Sequence, residues 1–298
     1  MANEGLIGVV TVTYNSEGVL QEFFDSLAAQ TYRNFILYLV DNASKDQTLK
    51  MSKQRTDINI VVIANSDNLG VAEGNNQGIR SALADGCECV MFLNNDTAFP
   101  ADLLDTLYAG LEQHNCEMTA PKMYYYDRPN LIWCAGGYFQ PWFAYRTRLT
   151  GANREDRGQF DQPRRMENVP TCCLLVRGRV FDRVGLMDSR YFVYIDDTDF
   201  LYRCLRLHIS LWYIPKAKLW HKVSSLSGPA DSRFSLHYVT RNRAYFISKH
   251  IPRIQAFLPN IVYELYFRLS CLRPAPVGER FRIRLSAWKE GKRMRAVN

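Results

Sequence analysis

The chain has 298 residues, is 47% hydrophobic, and carries 37 Lys and Arg against 30 Asp and Glu, a formal net charge of +7. That is enough apolar material for one large α/β domain or two smaller ones, and it excludes a disordered chain, collagen and a disulfide-stapled miniprotein. Residues 1–100 carry 6 basic and 12 acidic side chains, residues 101–270 carry 23 and 16, and residues 271–298 carry 8 and 2, so the acidic first third argues against nucleic acid as the partner.

Leu6 to Thr13 is an apolar, β-branched run that reads as a strand, followed by the polar turn Tyr14-Asn15-Ser16. Glu17 to Ala29 has helical spacing of Val19, Leu20, Phe23, Phe24 and Leu27, with Ser16 as the expected N-cap. Further strands are expected at Phe35–Val40, Ile58–Ala64 and Val90–Leu93, alternating with helices that end near Gln54 and span Val71–Leu83. Four strand–helix alternations predict a mostly parallel sheet with helices on both faces, and such sheets bind ligands at the carboxyl ends of their strands. Asp41, Asn42, Asn94 and Asp96 fall at those ends.

Beyond Pro100 the pattern predicts a helix over Ala101–His114, strand-like pieces near Glu117–Tyr126 and Leu131–Tyr138, and an aperiodic, Arg-dense loop over Tyr145–Arg165. Val169–Val176 is apolar, a short helix is expected at Arg179–Val184, another helix at Asp197–Leu207 and a strand at Leu211–Trp220. From about Ser232 the chain reads as helices, one with Leu258, Val262, Leu265, Leu269 and Leu272 on a single stripe. The last segment, if helical, puts Phe281, Leu285 and Trp288 on one face flanked by Arg280, Arg282, Arg284 and Lys289. That composition suits either an anionic membrane surface or a solvated basic tail. No run approaches the roughly 18 uncharged, proline-free residues of a spanning helix. Met-Ala-Asn-Glu-Gly runs directly into a strand-like segment, so no secretory leader is expected, and the eight cysteines are scattered outside any zinc or disulfide framework. A reduced, cytosolic protein is expected. One catalytic domain over residues 1–230, with a nucleotide half over 1–114 and an acceptor half over 115–230, is followed by a helical, basic extension over 231–298.

The first strand feeds no Gly-x-Gly-x-x-Gly turn, and a Walker A loop and a Gly-x-Ser-x-Gly elbow are absent, which removes the common dehydrogenase, P-loop and hydrolase readings. Asp41 can accept the N3–H of a uracil or thymine ring or serve as a turn aspartate. The segment Asn68 to Gly78, with three glycines and three asparagines, suits close backbone approach to a nucleotide. Asn94-Asn95-Asp96 offers one carboxylate and neighbouring amides to a hard divalent cation, or an Asx turn. Asp196-Asp197-Thr198-Asp199 gathers acids at a helix start, where they cap the helix or supply a general base. His221 is a candidate metal ligand or a structural histidine.

Six segments occur together in one order: Val-Val-Thr-Val-Thr-Tyr-Asn from Val9, Val-Asp-Asn-Ala-Ser-Lys-Asp from Val40, Asn-Leu-Gly-Val-Ala-Glu-Gly-Asn-Asn from Asn68, Phe-Leu-Asn-Asn-Asp from Phe92, Val-Gly-Leu-Met-Asp from Val184, and Tyr-Phe-Val-Tyr-Ile-Asp-Asp-Thr-Asp from Tyr191. Over about residues 6 to 225 the chain resembles the family 2 glycosyltransferases, particularly the bacterial rhamnosyltransferase-like branch. The resemblance implies a GT-A fold, a nucleotide-diphosphate sugar donor such as dTDP-L-rhamnose or a UDP-sugar, and Mg²⁺ or Mn²⁺. It assigns Thr13, Tyr14, Asn15, Asp41, Asn42, Asn68, Gly70, Asn75, Asn94, Asn95 and Asp96 to the nucleotide sugar, and Asp96 with His221 to the metal. It assigns Asp197 to the general base of an inverting displacement, and Asp196 and Arg203 to the acceptor. Asn94 stands where many relatives carry a first acid, and Asp196 where they carry Glu. The acceptor implied is a hydroxyl of a glycan or lipid-linked glycan of a bacterial surface polysaccharide, met at the inner membrane face. A nucleotidyltransferase would want a Gly-rich, basic loop after the first strand, which Thr13–Glu17 lacks, and an RNA- or anionic-surface-binding module would use the 145–165 loop and the tail. The Gln-x-x-Arg-Trp signature of processive polymerases is absent.

Overall fold

The computed structural model describes residues 5–141, 145–222, 232–274 and 276–294. The domain boundary expected at residues 230/231 lies outside the described residues.

Four parallel strands form the centre: β1 (Ile7–Thr13), β2 (Phe35–Asp41), β3 (Ile60–Ala64) and β4 (Cys89–Leu93), in the spatial order β3-β2-β1-β4. Strands β1, β2 and β4 are buried almost throughout, as near-continuous apolar runs must be when helices cover both faces of a sheet. The connecting helices are α1 (Glu17–Ala28), α2 (Thr48–Gln54) and α3 (Gly70–Ala84). Helix α1 buries Leu20, Phe23, Phe24 and Leu27, the face its spacing predicts. Ser16, however, makes no side-chain cap: its Oγ accepts from the Tyr14 backbone N–H, and the Glu17 N–H is taken by Asp46 instead.

Strand β5 (Thr97–Ala98) and helix α4 (Leu103–Gln113) lead to the second half of the sheet. There β6 (Met118–Tyr125), β7 (Arg128–Cys134), β12 (Cys173–Arg177) and β13 (Leu211–His221) continue it, with β12 antiparallel between β4 and β6. The Arg-dense segment expected to be an aperiodic loop is folded. Strand β9 (Arg146–Leu149) pairs with β8 (Gly137–Gln140), β10 (Arg154–Glu155) with β7, and β11 (Arg164–Met166) with β13. Strands of two to four residues are too short to show a hydrophobic period. They are anchored by charge: the buried Lys122 ammonium donates to Asp156 (2.8 Å) and Asp161 (2.5 Å).

Helices α5 (Arg179–Val184) and α6 (Asp196–Arg206) precede β13, and α7 (Arg233–His250), α8 (Arg253–Ser270) and α9 (Val277–Arg293) follow it. The main core runs unbroken from Ile7 through Phe246 to Trp288. Helix α9 is helical as expected, but its Phe281–Trp288 face turns inward: Trp288 is 1% exposed, 4.9 Å from the Tyr263 ring and 5.7 Å from Phe267.

Helix α3 sets how closely the parallel half of the sheet is built. Gly74 and Gly78, which the Asn68–Gly78 segment offers for backbone approach to a nucleotide, instead lie inside this helix against β1. Their missing side chains let the helix approach Val12 and Val10. A Cβ on Gly78 would sit 2.4 Å from Val10 Cγ1. Alanine ordinarily stabilises a helix interior by about 1 kcal/mol over glycine, but overpacking costs about 1–3 kcal/mol, so Gly78→Ala should lose up to about 2 kcal/mol net. Urea unfolding measures this, and a variant stabilised by about 1 kcal/mol would contradict the packing described.

Candidate active site

Pairing register aligns the ends of the parallel strands, with Thr13 opposite Asp41 and Asp41 opposite Ala64. Both Asp41 oxygens are engaged. Oδ1 accepts from the Thr13 hydroxyl (2.9 Å) and the Ser44 hydroxyl (2.5 Å), and Oδ2 from the Ser44 N–H (2.9 Å). A carboxylate has about four acceptor positions, so one on Oδ2 is left for a further N–H. Asn42 donates to the Gly70 carbonyl (3.0 Å) and accepts from Asn65, which exchanges amide bonds with Gln77. Tyr14 is exposed at the strand end, and Asn15, with φ of 51°, accepts from the Lys45 N–H. Asn68 Oδ1 caps the Gly70 N–H at 2.9 Å. Asn75 sets its amide against the Met187 sulfur at 3.8 Å, while Asn76 exchanges two hydrogen bonds with the Met187 backbone.

The metal candidates are brought together by strand pairing across 125 residues. His221 pairs with Thr97 in the β13–β5 ladder, which sets His221 Nε2 3.1 Å from Asp96 Oδ1. That is about the spacing of two neighbouring ligands of one octahedral ion with bonds of about 2.1 Å. The imidazole is buried against Trp133, its ring centroid at 4.6 Å, and Nδ1 has no partner among the described residues. Asn95, anchored by its amide to the Val12 carbonyl at 2.7 Å, leaves its own buried Oδ1 equally unpartnered. A carboxylate, an imidazole and an orphan amide oxygen are a donor set that fits Mn²⁺ or Mg²⁺ with the remaining ligands coming from elsewhere. No cluster of three His, Cys, Asp or Glu able to hold a metal exists among the described residues. Asn94 is exposed beside them.

The acid pair approaches from the other side. The Cys172 carbonyl accepts from the Asn94 N–H at 2.9 Å, and its neighbour Thr171 hydrogen-bonds Asp197 through its backbone. The Cys172 thiol, pushed well up by burial first, also feels the charges of Asp96 and Asp197. The start of β12 thus lies between the metal candidates and the acid pair. Burial, and then the charge of Asp197, hold the Asp196 carboxyl well above the ordinary carboxylate range. Burial also raises Asp197, against hydrogen bonds from the Thr198 N–H (2.6 Å) and hydroxyl (3.2 Å). Two neighbouring carboxyls, both held above the ordinary range by burial, can take up and pass on a proton.

Residues 8–181 match the family model for glycosyl transferase family 2. The chain belongs to that family. It is 26% identical over 268 residues to the dTDP-rhamnosyl transferase RfbF of Shigella flexneri, covering 87% of this chain and 86% of the relative. It is 28% identical over 256 residues to the N-acetylglucosaminyl-diphospho-decaprenol L-rhamnosyltransferase of Mycobacterium tuberculosis, covering 78% and 81%. Among solved structures it is similar to GalNAc-T7 with UDP, GalNAc and Mn²⁺, with a TM-score of 0.68 and 13% identity over 98% of this chain and 56% of that longer one. It is also similar to S. aureus TarS 1–349 with UDP, with a TM-score of 0.56 and 18% identity over 97% and 93%. The fold is GT-A, and the protein is a glycosyltransferase.

In this family 2 transferase two acidic-segment residues serve the framework. Arg203, expected at the acceptor, donates to Asp199 (2.9 Å) and to the carbonyls of Val184 (2.5 Å) and Leu186 (2.8 Å), so the fold itself occupies its guanidinium. Asp199, an alternative base by sequence, is fully buried and accepts from Tyr191, Lys249 and His250. Burial alone would raise its pKa, but those partners hold it well below the usual range. Lys249 also bridges to Asp188, whose carboxyl is raised by burial yet brought to about 2 by Arg190 and Lys249.

The residue that sequence reasoning missed is Asn242. Ahead of Asp196 the backbone is left-handed at Phe192, Tyr194 and Ile195, with φ of 65°, 64° and 66°. Buried Asn242 donates its amide to the carbonyls of Tyr191, Val193 and Tyr194 at 2.7–2.8 Å, and Arg241 adds bonds to Arg190 and Tyr191. From the opposite side the Val71 N–H donates to Phe192 at 2.6 Å, and Gly70, at φ of 82°, leaves the room that a Cβ would take from Phe192. An asparagine inside a helical run carries no sequence signal of such a role. Asn242→Ala should lower turnover roughly 10²-fold, the scale of ångström-level misplacement, with nucleotide-induced stabilisation kept. Asn242→Asp, which exchanges the donor for an acceptor, should fall with it. Wild-type turnover from folded Asn242→Ala would show that the loop stands without the clamp.

Proposed function

We propose that the enzyme is an inverting, divalent-cation-dependent transferase that moves a sugar from a nucleoside-diphosphate donor to a hydroxyl of a glycan or lipid-linked glycan. The observation that carries this reading is the approach of Asp96 to His221 on one side of the β12 start and of the Asp196–Asp197 pair on the other. The names of the relatives support dTDP-L-rhamnose as donor and a diphospho-polyprenol glycan of a bacterial surface polymer as acceptor. A UDP-sugar is the second donor, because thymine and uracil offer the same N3–H to the remaining lone pair of Asp41.

Tyr14 stacks on the base, while Asn42, Asn68 and the backbone at Gly70 line the nucleoside and diphosphate. Asp96 and His221 would hold the cation, with the unpartnered Asn95 Oδ1 as a further candidate donor. When bound, the cation would supply charge neutralisation on the departing nucleoside diphosphate. Asp197 takes the proton of the acceptor hydroxyl as its oxygen attacks the anomeric carbon. The bond to the donor phosphate breaks on the opposite face, so a β-linked donor gives an α-product. Asp196, kept protonated by burial and by the neighbouring charge, leaves Asp197 as the ionised member of the pair.

Asp197→Asn should lower turnover by roughly 10²–10⁴-fold. The base must be ionised and its pKa is raised, so activity should already fall on acidification above the ordinary carboxylate pKa of about 4. Asp196 is already neutral when Asp197 titrates, so Asp196→Asn should leave that limb close to its wild-type position. Release of nucleoside diphosphate against pH measures both. Near-normal turnover in folded Asp197→Asn, or a limb that Asp196→Asn moves by about a full pH unit or more, would contradict the assignment.

A further inference from the structure

Helix α8 has its apolar face turned away from the protein. Ile254, Phe257, Leu258, Val262, Leu265 and Leu269 are each more than half exposed. Their spacing draws one stripe along an 18-residue helix, about 27 Å at 1.5 Å per residue. More than half of the exposed large apolar side chains among the described residues lie between Ile254 and Leu272. The inward side is already satisfied, with Ala256, Phe267 and Ser270 buried and Tyr263 against Trp288. A contiguous apolar surface of this kind marks a docking face.

The surroundings of the stripe identify what covers it. Residues 253–294 carry nine Lys and Arg against three Asp and Glu. Beside the stripe lies a groove of about 890 Å³ whose lining includes Arg253, Arg268, Lys292, Phe257 and Leu265. Its one carboxylate, Glu264, is shared between Arg268 (2.8 Å) and Lys292 (3.2 Å). A second copy of the chain would bring two cationic rims together, whereas an anionic lipid surface complements both the charge and the apolar stripe. Among the described residues no helix is long and apolar enough to cross a membrane, so the contact is a helix lying on the surface.

We propose that α8 lies flat in the headgroup layer of an anionic membrane, with its stripe toward the acyl chains and Arg253, Arg268 and Arg273 among the phosphates. The sequence suggests the α9 segment for an anionic membrane surface or as a solvated basic tail, but the Trp288 face of α9 is the inner support of α8. Behind α8 a cavity of about 250 Å³ is lined by Tyr263, Phe267 and Trp288 on one side and by Ile195 and Thr198, which flank the acid pair, on the other. On the transferase reading above, on which this last step rests, docking holds the acceptor side of the site next to the surface that carries a lipid-linked acceptor.

The test is sedimentation of the full chain with phosphatidylcholine vesicles, with and without phosphatidylglycerol. Wild type should bind the phosphatidylglycerol vesicles at least about tenfold more tightly. The variant F257E/L265E/L269E, altered only at exposed positions, should lose about tenfold or more in that binding. Its Tm and its stabilisation by nucleotide with Mn²⁺ should match wild type. R253E/R273E should lose the preference for phosphatidylglycerol. Wild type that stays in the supernatant, a triple variant that sediments like wild type, or a wild-type dimer that the triple variant dissolves would each overturn the proposal. Loss of vesicle binding with nucleotide stabilisation intact is a failure of docking alone, and the reverse is a failure of the transferase reading alone.

Discussion

The site depends on a short stretch of backbone that the chain would not adopt unaided. Phe192, Tyr194 and Ile195 are left-handed, and each such residue costs about 1–2 kcal/mol where there is no glycine. The β-branched Ile195 is the least suited of the three. The stretch persists because it is bonded from both sides, by Asn242 and Arg241 of α7 and by the Val71 N–H at the start of α3. Asp196 and Asp197 follow at once, on the first turn of α6. Strain here aims the acid pair, and the C-terminal helices are part of what keeps it aimed.

The second constraint is register. Parallel pairing of β1 with β2 and β4 puts Thr13, Asp41 and Asn94–Asp96 at one edge of the sheet, and the β13–β5 ladder adds His221. The antiparallel β12 between β4 and β6 carries Thr171 and Cys172 to the gap between the two groups of acids. The parallel and antiparallel halves of the sheet therefore meet through backbone hydrogen bonds, which the surrounding core makes rigid. Lys249, shared between Asp188 and Asp199, fastens α7 to the same region with buried charge. Removing one partner of such a group leaves an uncompensated charge, so the whole set holds together or is lost together.

Much of this was legible in the chain itself. Strands β1 to β4 and helices α1, α3 and α4 stand within about two residues of where the apolar runs end, because burial on both faces writes continuous hydrophobic segments. The proximity of Asp96 and His221 was legible only through family resemblance, since no periodicity reports a contact across 125 residues. The short strands of the 145–165 segment escaped because lysine–aspartate pairing and edge hydrogen bonds hold them. Gly74 and Gly78 were misread because a glycine needed for helix–sheet contact looks the same in sequence as one needed for a ligand. Arg203 was misread because an arginine bonded to backbone carbonyls leaves no pattern. In α8 and α9 the stripes were visible, but which one faces inward depends on the Tyr263–Trp288 contact, and only the fold decides that.

The most direct test of the account is a thermal-shift comparison of UDP, dTDP and GDP, each with and without Mn²⁺, on the wild type and on the Asp96→Ala and His221→Ala variants. The account predicts that UDP or dTDP stabilises the wild type by several degrees with Mn²⁺ present, the size expected near 100 times Kd (about 2.7 kcal/mol). Both variants should lose that stabilisation. Stabilisation that needs no metal, or none by any nucleotide on folded wild-type protein, would contradict it.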